Sequence, residues 1–274
     1  KVITYINQNK FRNYKNPEEK IQAQTFLKLI LEYKYPVENI EMFVTVQMGV
    51  AKKEADIIVY NDKEHLSPYI IVECKKEEIS ELEFKTAVNQ AFSYAVTEGA
   101  KFVWTTSGIK DEYYQVPKKK PKDRITIVDI PSLGEKFVPK FKYVKGDPKY
   151  HELEIVTEDN LTKRFKQAHN ALWAGGELNP SEAFDELDKL IFCKIWDERN
   201  CARKEPYKFQ VIPYIQLDKD GEEEENKKIT NKNLLDRINE LYAQGAAKDP
   251  EVFKDGIRLN ADKVRTVVGY LEGI

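Results

Sequence analysis

"YIIVECKK", Tyr69–Lys76, runs four strand-forming residues directly into Glu73-Cys74-Lys75. A buried strand ordinarily ends in turn formers, not in opposite charges two positions apart. Side chains alternate across a strand, so Glu73 and Lys75 share one side and Cys74 takes the other. The pair is either a plain ion pair at a strand end or two parts of a reactive site. Just upstream, "ADIIVYN" begins a second strand at Ala55, and the segment between, Asn61 to Pro68, is rich in turn formers. If the two strands form an antiparallel hairpin, the start of the first lies beside the end of the second. Asp56, Glu73 and Lys75 then meet at one end of a sheet.

The neighbouring elements follow from the same kind of reading. "NPEEKIQAQTFLKLILEYKYP" opens a helix, with Asn16 as N-cap, Pro17 at the first helical position and acids in the first turn. It continues to about Tyr33, and Glu19 lies at the edge of a stripe with Ala23, Phe26 and Ile30. "EMFVTVQMG" alternates around Phe43 to Met48 as a strand. A second helix spans about Glu81 to Thr97 and stops at Gly99. "KFVWTTSG" and "RITIVDIP" read as further strands. The order helix, three strands, helix, strand predicts an α/β sandwich with a mixed sheet flanked by helices.

The pattern changes after about Lys145. "KGDPKYH" reads as a linker, and from Asp159 onward the spacing is helical, so the domains divide at 1–150 and 151–274. "LDKDGEEEENKK" reads as a charged surface loop.

The totals set outer limits. The chain has 274 residues, 41% hydrophobic and 33% charged, with 15 Tyr and 13 Phe, which excludes wholesale disorder. A formal net charge of -2 makes no global case for nucleic acid, so any basic surface is local. Cys74, Cys193 and Cys201 form no CxxC pair and no zinc pattern with the three His, which predicts reduced thiols in a cytoplasmic protein. No apolar run approaches a membrane span.

Two carboxylates and an amine at one sheet end suit a particular chemistry. Asp and Glu oxygens match a hard cation such as Mg²⁺, with Mn²⁺ as substitute, which keeps waters for a substrate phosphate. Such an ion polarises a phosphodiester and acidifies an attacking water. An adjacent Lys orients that water or stabilises charge on the phosphate. The backbone carbonyl of Cys74 is a further candidate ligand.

Asp56 followed by Glu73-Cys74-Lys75, after a helix bearing Glu19, resembles the PD-(D/E)xK nuclease superfamily. More narrowly it resembles the N-terminal nuclease domain of type I restriction subunits and of fused restriction-modification enzymes. "NPEEKIQAQTFLKLILEYKYP", "KKEADIIVY", "YIIVECKK" and "NQAFSYA" carry the likeness. The resemblance implies a restriction-endonuclease-like core. It also implies metal ligation by Asp56 and Glu73, a catalytic Lys75, and a helix Glu that assists the metal, Glu19 with Glu18 as rival. It further implies a Gln-x-x-x-Tyr element at Gln90 and Tyr94. Ala55 stands where a Pro often precedes the Asp.

"RFKQAHNALWAGGELNPSEAFDELDKLIFCKIWDE", with "LLDRINELYAQ" and "VRTVVGYLEGI", resembles the helical segment before the catalytic domain of restriction adenine methyltransferases. This implies an all-α C-terminal domain, a methyltransferase domain following Ile274, and a separate specificity domain or subunit. The substrate implied is double-stranded DNA. Neither Asn16-Pro17 nor Asn179-Pro180 continues as the N-P-P-aromatic that holds an adenine, and no Gly-rich cofactor motif follows, so no methylation is expected here. "VPKKKPKD", with Lys118, Lys119, Lys120 and Lys122, is either a phosphate-contacting or a solvated loop. His169 and Trp173 share a helix face and read as core. Two rival readings remain: a non-catalytic nuclease-fold module that holds DNA or positions a partner, and a repair or transposition nuclease subunit.

Overall fold

The hairpin that the site requires forms. In the computed structural model, Ala51–Tyr60 (β4) and Pro68–Cys74 (β5) pair antiparallel, with Ile57 opposite Val72 and Val59 opposite Ile70. Residues 1–117, 124–135, 140–174, 176–217, 223–248 and 255–274 are described; the Lys118–Lys122 loop lies outside them.

Before the hairpin come Val2–Tyr5 (β1), Lys10–Asn13 (β2), Pro17–Leu31 (α1) and Ile40–Met48 (β3). After it come Glu81–Glu98 (α2), Phe102–Thr106 (β6), Asp111–Gln115 (β7) and Ile125–Ile127 (β8). The main sheet is six-stranded in the order β3-β4-β5-β6-β7-β8. Only the β5–β6 pair is parallel, because α2 serves as the crossover between them. The sheet is therefore mixed, as the element order predicts.

Each face of the sheet buries its own apolar set. Ile57, Val59, Ile70, Val72 and Trp104 pack with Ile21 and Leu29 of α1. Ile58, Ile71 and Val103 pack with Phe84, Val88, Ala91 and Ala95 of α2. Local signals place both helices. Asn16 accepts from the Glu18 N–H with Pro17 following it, and Ser80 and Glu83 form a reciprocal capping box before Gly99 ends α2 in the left-handed region.

Among the elements before residue 131, two strand features are not in the sequence reading. One is the β1–β2 hairpin, turned by a short 3₁₀ segment and a left-handed Asn9. The other is β7, whose "DEYYQ" buries only Tyr113 and Tyr114.

The chain forms two units: residues 1–139 with 215–225, and residues 140–214 with 226–274. Ile215–Leu217 (β9) and Glu223–Glu225 (β10) pair antiparallel, so the acidic run read as a loop is partly a strand. A Glu225 carboxylate oxygen accepts from the Thr126 N–H at 3.2 Å.

The second unit is built from Glu158–Trp173 (α3), Pro180–Asn200 (α4), Lys227–Ala246 (α5) and Ala261–Leu271 (α6). "KGDPKYH" is not a free linker there. Val144 N–H donates to His151 O, and Lys145 N–H donates to Glu205 O. Trp173, expected as core, is 49% exposed, and His169 bonds the Pro180 carbonyl at 3.0 Å. Among the described residues no helix is long and apolar enough to cross a membrane.

One close approach seats α1 on the sheet. Gly108 follows β6 at φ +79°, and a Cβ there would lie 2.7 Å from Ile21 Cδ1. Gly108→Ala is expected to cost about 1–3 kcal/mol, from backbone strain and from displacing Ile21. Urea unfolding measures it; an unchanged midpoint would show that α1 tolerates the shift.

Candidate active site at the end of the β4–β5 hairpin

Asp56 lies on β4 and is nearly buried, at 9% exposure, and Glu73 on β5 is 1% exposed. One Asp56 oxygen accepts the Cys74 main-chain N–H at 2.7 Å, which ties the start of one strand to the end of the other. Its other oxygen accepts from Gln22 Nε2 of α1, also at 2.7 Å. Glu73 Oε1 accepts from Lys75 Nζ at 2.8 Å and from Gln90 Nε2 of α2 at 3.0 Å. Gln90 Nε2 also reaches the Tyr94 hydroxyl at 2.7 Å. Lys75 Nζ makes a second ion pair, to Glu18 Oε1 at 3.0 Å. Helices on opposite faces of the sheet thus both reach its edge, and Lys75 spans the gap between Glu73 and α1.

Sequence reading names Asp56, Glu73, Lys75, Gln90 and Tyr94, and the structure brings them together. It does not bring Glu19 into this bonded set. Glu19 is buried, and its Oε1 accepts from the Tyr5 hydroxyl of β1 at 2.6 Å. The reason is helical phase: Glu18 stands one turn before Gln22 and shares its face, whereas Glu19 is rotated about 100° toward the β1–β2 hairpin. Glu18, the rival, is the acid that meets Lys75. Cys74 turns its thiol into the core beside α1, as strand alternation requires. Gln22 and Tyr5 escape the sequence reading. Gln22 stands four residues after Glu18 and so on the same helix face, but α1 also buries Glu19 and Thr25, so spacing alone does not single it out.

The backbone opposite Asp56 is irregular. Ladder pairs Met42–Ile57 and Val44–Ala55 flank Phe43 and Asp56, and Phe43 adopts φ +58°. A bulky residue there stores roughly 1–3 kcal/mol and persists only where its surroundings hold it. The β1–β2 hairpin does so. Lys10 Nζ donates to the carbonyls of Met42 at 2.8 Å and Phe43 at 3.2 Å. The Arg12 guanidinium lies 3.9 Å from the Phe43 ring centroid, and Tyr5 packs edge-on against that ring.

Burial dominates the electrostatics. It pushes the Asp56 carboxyl up to about 6, against the opposing Cys74 N–H bond. Burial pushes Glu73 up to about 8, and the nearby Asp56 charge adds to this. Burial pulls the Lys75 ammonium down, but Glu73, Asp56 and Glu18 together more than offset that, so its net shift is upward. Glu19 is also raised by burial, with the Tyr5 bond opposing.

Glu73 Oε2 is buried and has no hydrogen-bond partner among the described residues. An unpaired carboxylate oxygen next to a second buried carboxylate, both costly to ionise, is a donor set that a hard cation satisfies. Among the described residues no group of three or more acidic, His or Cys side chains is placed to hold an ion. A cation at this place would have two carboxylates, a main-chain oxygen and water as its donors, a set that Mg²⁺ accepts.

Residues 17–131 match the family model of the type I restriction enzyme R protein N terminus. The matched stretch holds α1, the β3–β5 meander, α2 and β6 to β8, and so every residue of the bonded set. No curated protein matches the chain.

A carboxyl whose pKa rises on folding holds its proton more tightly folded than unfolded. The stability it confers is present at low pH and is lost as pH climbs from the ordinary 4.5 through about 8. The melting temperature of metal-free Glu73→Gln should therefore gain on wild type as pH rises from 5 to 8, and millimolar Mn²⁺ should narrow the gap. Parallel pH profiles for the two proteins would contradict this assignment.

Proposed function

We propose that the first unit is a metal-dependent endodeoxyribonuclease domain of a restriction system, hydrolysing phosphodiester bonds of double-stranded DNA. The observation that carries this reading is the pair of buried, hard-to-ionise carboxylates, Asp56 and Glu73, beside a protonated Lys75 at one strand end. The match of residues 17–131 to a restriction-subunit N terminus supports it.

Asp56, Glu73 and the Cys74 carbonyl would hold Mg²⁺ or Mn²⁺. Bound there, the ion supplies Lewis-acid polarisation of the phosphate and a more acidic water. The chain's own groups do the rest. Gln22 and the Cys74 N–H fix the rotation of the Asp56 carboxylate, and Gln90 fixes that of Glu73. Lys75 stays charged near neutral pH, since its net shift is upward. It therefore acts as a cation that orients the nucleophile or stabilises charge on the phosphate, not as a general base. Glu18 holds Lys75 in the absence of DNA, and an arriving phosphate competes for the same ammonium. Glu19 acts at one remove, through Tyr5 and the hairpin that props Phe43.

The helices of the second unit serve, in this reading, as the connector to a methyltransferase domain. A separate specificity region reads the DNA sequence, and the setting is cytoplasmic.

Lys75→Ala should lower plasmid nicking in Mg²⁺ by at least about 10²-fold, with circular dichroism and DNA affinity largely unchanged. Nicking close to wild type would return Glu73–Lys75 to a structural ion pair.

A further inference from the structure

Three consecutive hydroxyl residues stand at the end of β6 and just beyond it, Thr105, Thr106 and Ser107, and their fates differ. The Thr106 hydroxyl accepts the Gly108 N–H at 3.0 Å and so helps set the turn. The Thr105 and Ser107 hydroxyls have no hydrogen-bond partner among the described residues, although both residues are 0% exposed. An unpaired buried hydroxyl costs about 1–3 kcal/mol, so two of them two residues apart need a reason.

Their position supplies it. Thr105 is the register partner of Glu73 across the parallel β5–β6 pair, and the Lys75 N–H bonds the Thr106 carbonyl at 2.8 Å. Directly opposed residues of a parallel pair present their side chains to the same face. Val103 packs into the α2-side core, and Thr105 lies two residues on, so Thr105 shares that face with Glu73 and Gln90. The remaining unpaired oxygen of this neighbourhood is Glu73 Oε2 itself.

We propose that Thr105 and Ser107 hold an ordered water that bridges to Glu73 Oε2 and so positions the Glu73 carboxylate. The water accepts one proton from each hydroxyl and donates one to Oε2, the roughly three bonds usual for a buried water. A carboxylate oxygen has two lone pairs, so Oε2 accepts from this water and still faces a cation. Lys75 and Gln90 hold one oxygen of Glu73, and the hydroxyl pair holds the other. Thr105 and Ser107 are positioning residues: they act through Glu73 and not on the substrate.

The metal part of this inference rests on the proposed function; the water itself does not. Metal-free full-length Thr105→Val and Ser107→Ala should each melt about 2–4 °C lower. The double variant should fall by little more than the larger single change, because both lose the same water. Calorimetry with Mn²⁺ should show Thr105→Val weakened about tenfold and Thr105→Ser close to wild type, since the serine keeps the hydroxyl. Unchanged or higher melting temperatures for both single variants would overturn the bridging water, since deleting a truly unpaired hydroxyl stabilises. Additive losses would overturn the shared water, and unaltered Mn²⁺ affinity in Thr105→Val would overturn the positioning role. If wild type takes up no Mn²⁺, the metal reading fails, and the melting series still decides whether the water is there.

Discussion

The bond from the Cys74 main-chain N–H to an Asp56 carboxylate oxygen is the contact on which the first unit's site depends. It makes a side chain serve as the last rung of the β4–β5 ladder. A carboxylate in that position fixes where β5 stops pairing with β4, and therefore where Glu73 and Lys75 emerge. Because Glu73 and Lys75 differ by two positions, they leave the strand on one side, and Cys74 anchors the strand in the core on the other. One main-chain bond thus couples the register of the hairpin to the placement of three charged groups.

That arrangement is costly, and the costs fall in one place. Two carboxylates are buried, the Asp56 charge raises the proton affinity of Glu73, and Phe43 is strained directly across the ladder. The surroundings offset both. The cores on the two faces of the sheet hold β4 and β5 rigidly, and the β1–β2 hairpin satisfies the carbonyls that the irregular Phe43 turns out of the ladder. Local strain and poorly ionisable acids held by a well-packed frame are what a site under functional constraint looks like, as opposed to one optimised for stability.

Much of this was legible in sequence because the signals are local. The N-cap at Asn16, the capping box at Ser80, the left-handed Gly99 and the turn formers between Asn61 and Pro68 each act over a few residues. Asp56, Glu73 and Lys75 followed from strand periodicity once the hairpin was assumed, whereas Gln90 and Tyr94 came from the family resemblance. What escaped depends on tertiary context. The β1–β2 hairpin is short, half-exposed and turned by a 3₁₀ segment, so it has no clean alternation to read. Glu223–Glu225 looks like a solvated run by composition, yet pairs with Ile215–Leu217. The choice between Glu18 and Glu19 turns on helix rotation, which an apolar stripe reaching both faces of α1 leaves undetermined. Gln22 shows its role only through its partner, Asp56.

A comparison within the chain separates site from scaffold. Glu186 in α4 is as inaccessible to solvent as Glu73, and burial tends to push its carboxyl up too. There the outcome reverses: Lys189 at 2.6 Å and the Arg258 main-chain N–H at 2.8 Å, with the Arg258 guanidinium at 3.2 Å, bring it below its ordinary value. Both Glu186 oxygens are paired, so its charge is settled by the fold alone. Glu73 keeps one oxygen without a protein partner, and its second neighbour is another acid. Solvent accessibility does not distinguish the two; the completeness of their pairing does. In the proposed function, that open oxygen beside Lys75 is where a cation and a phosphate would meet.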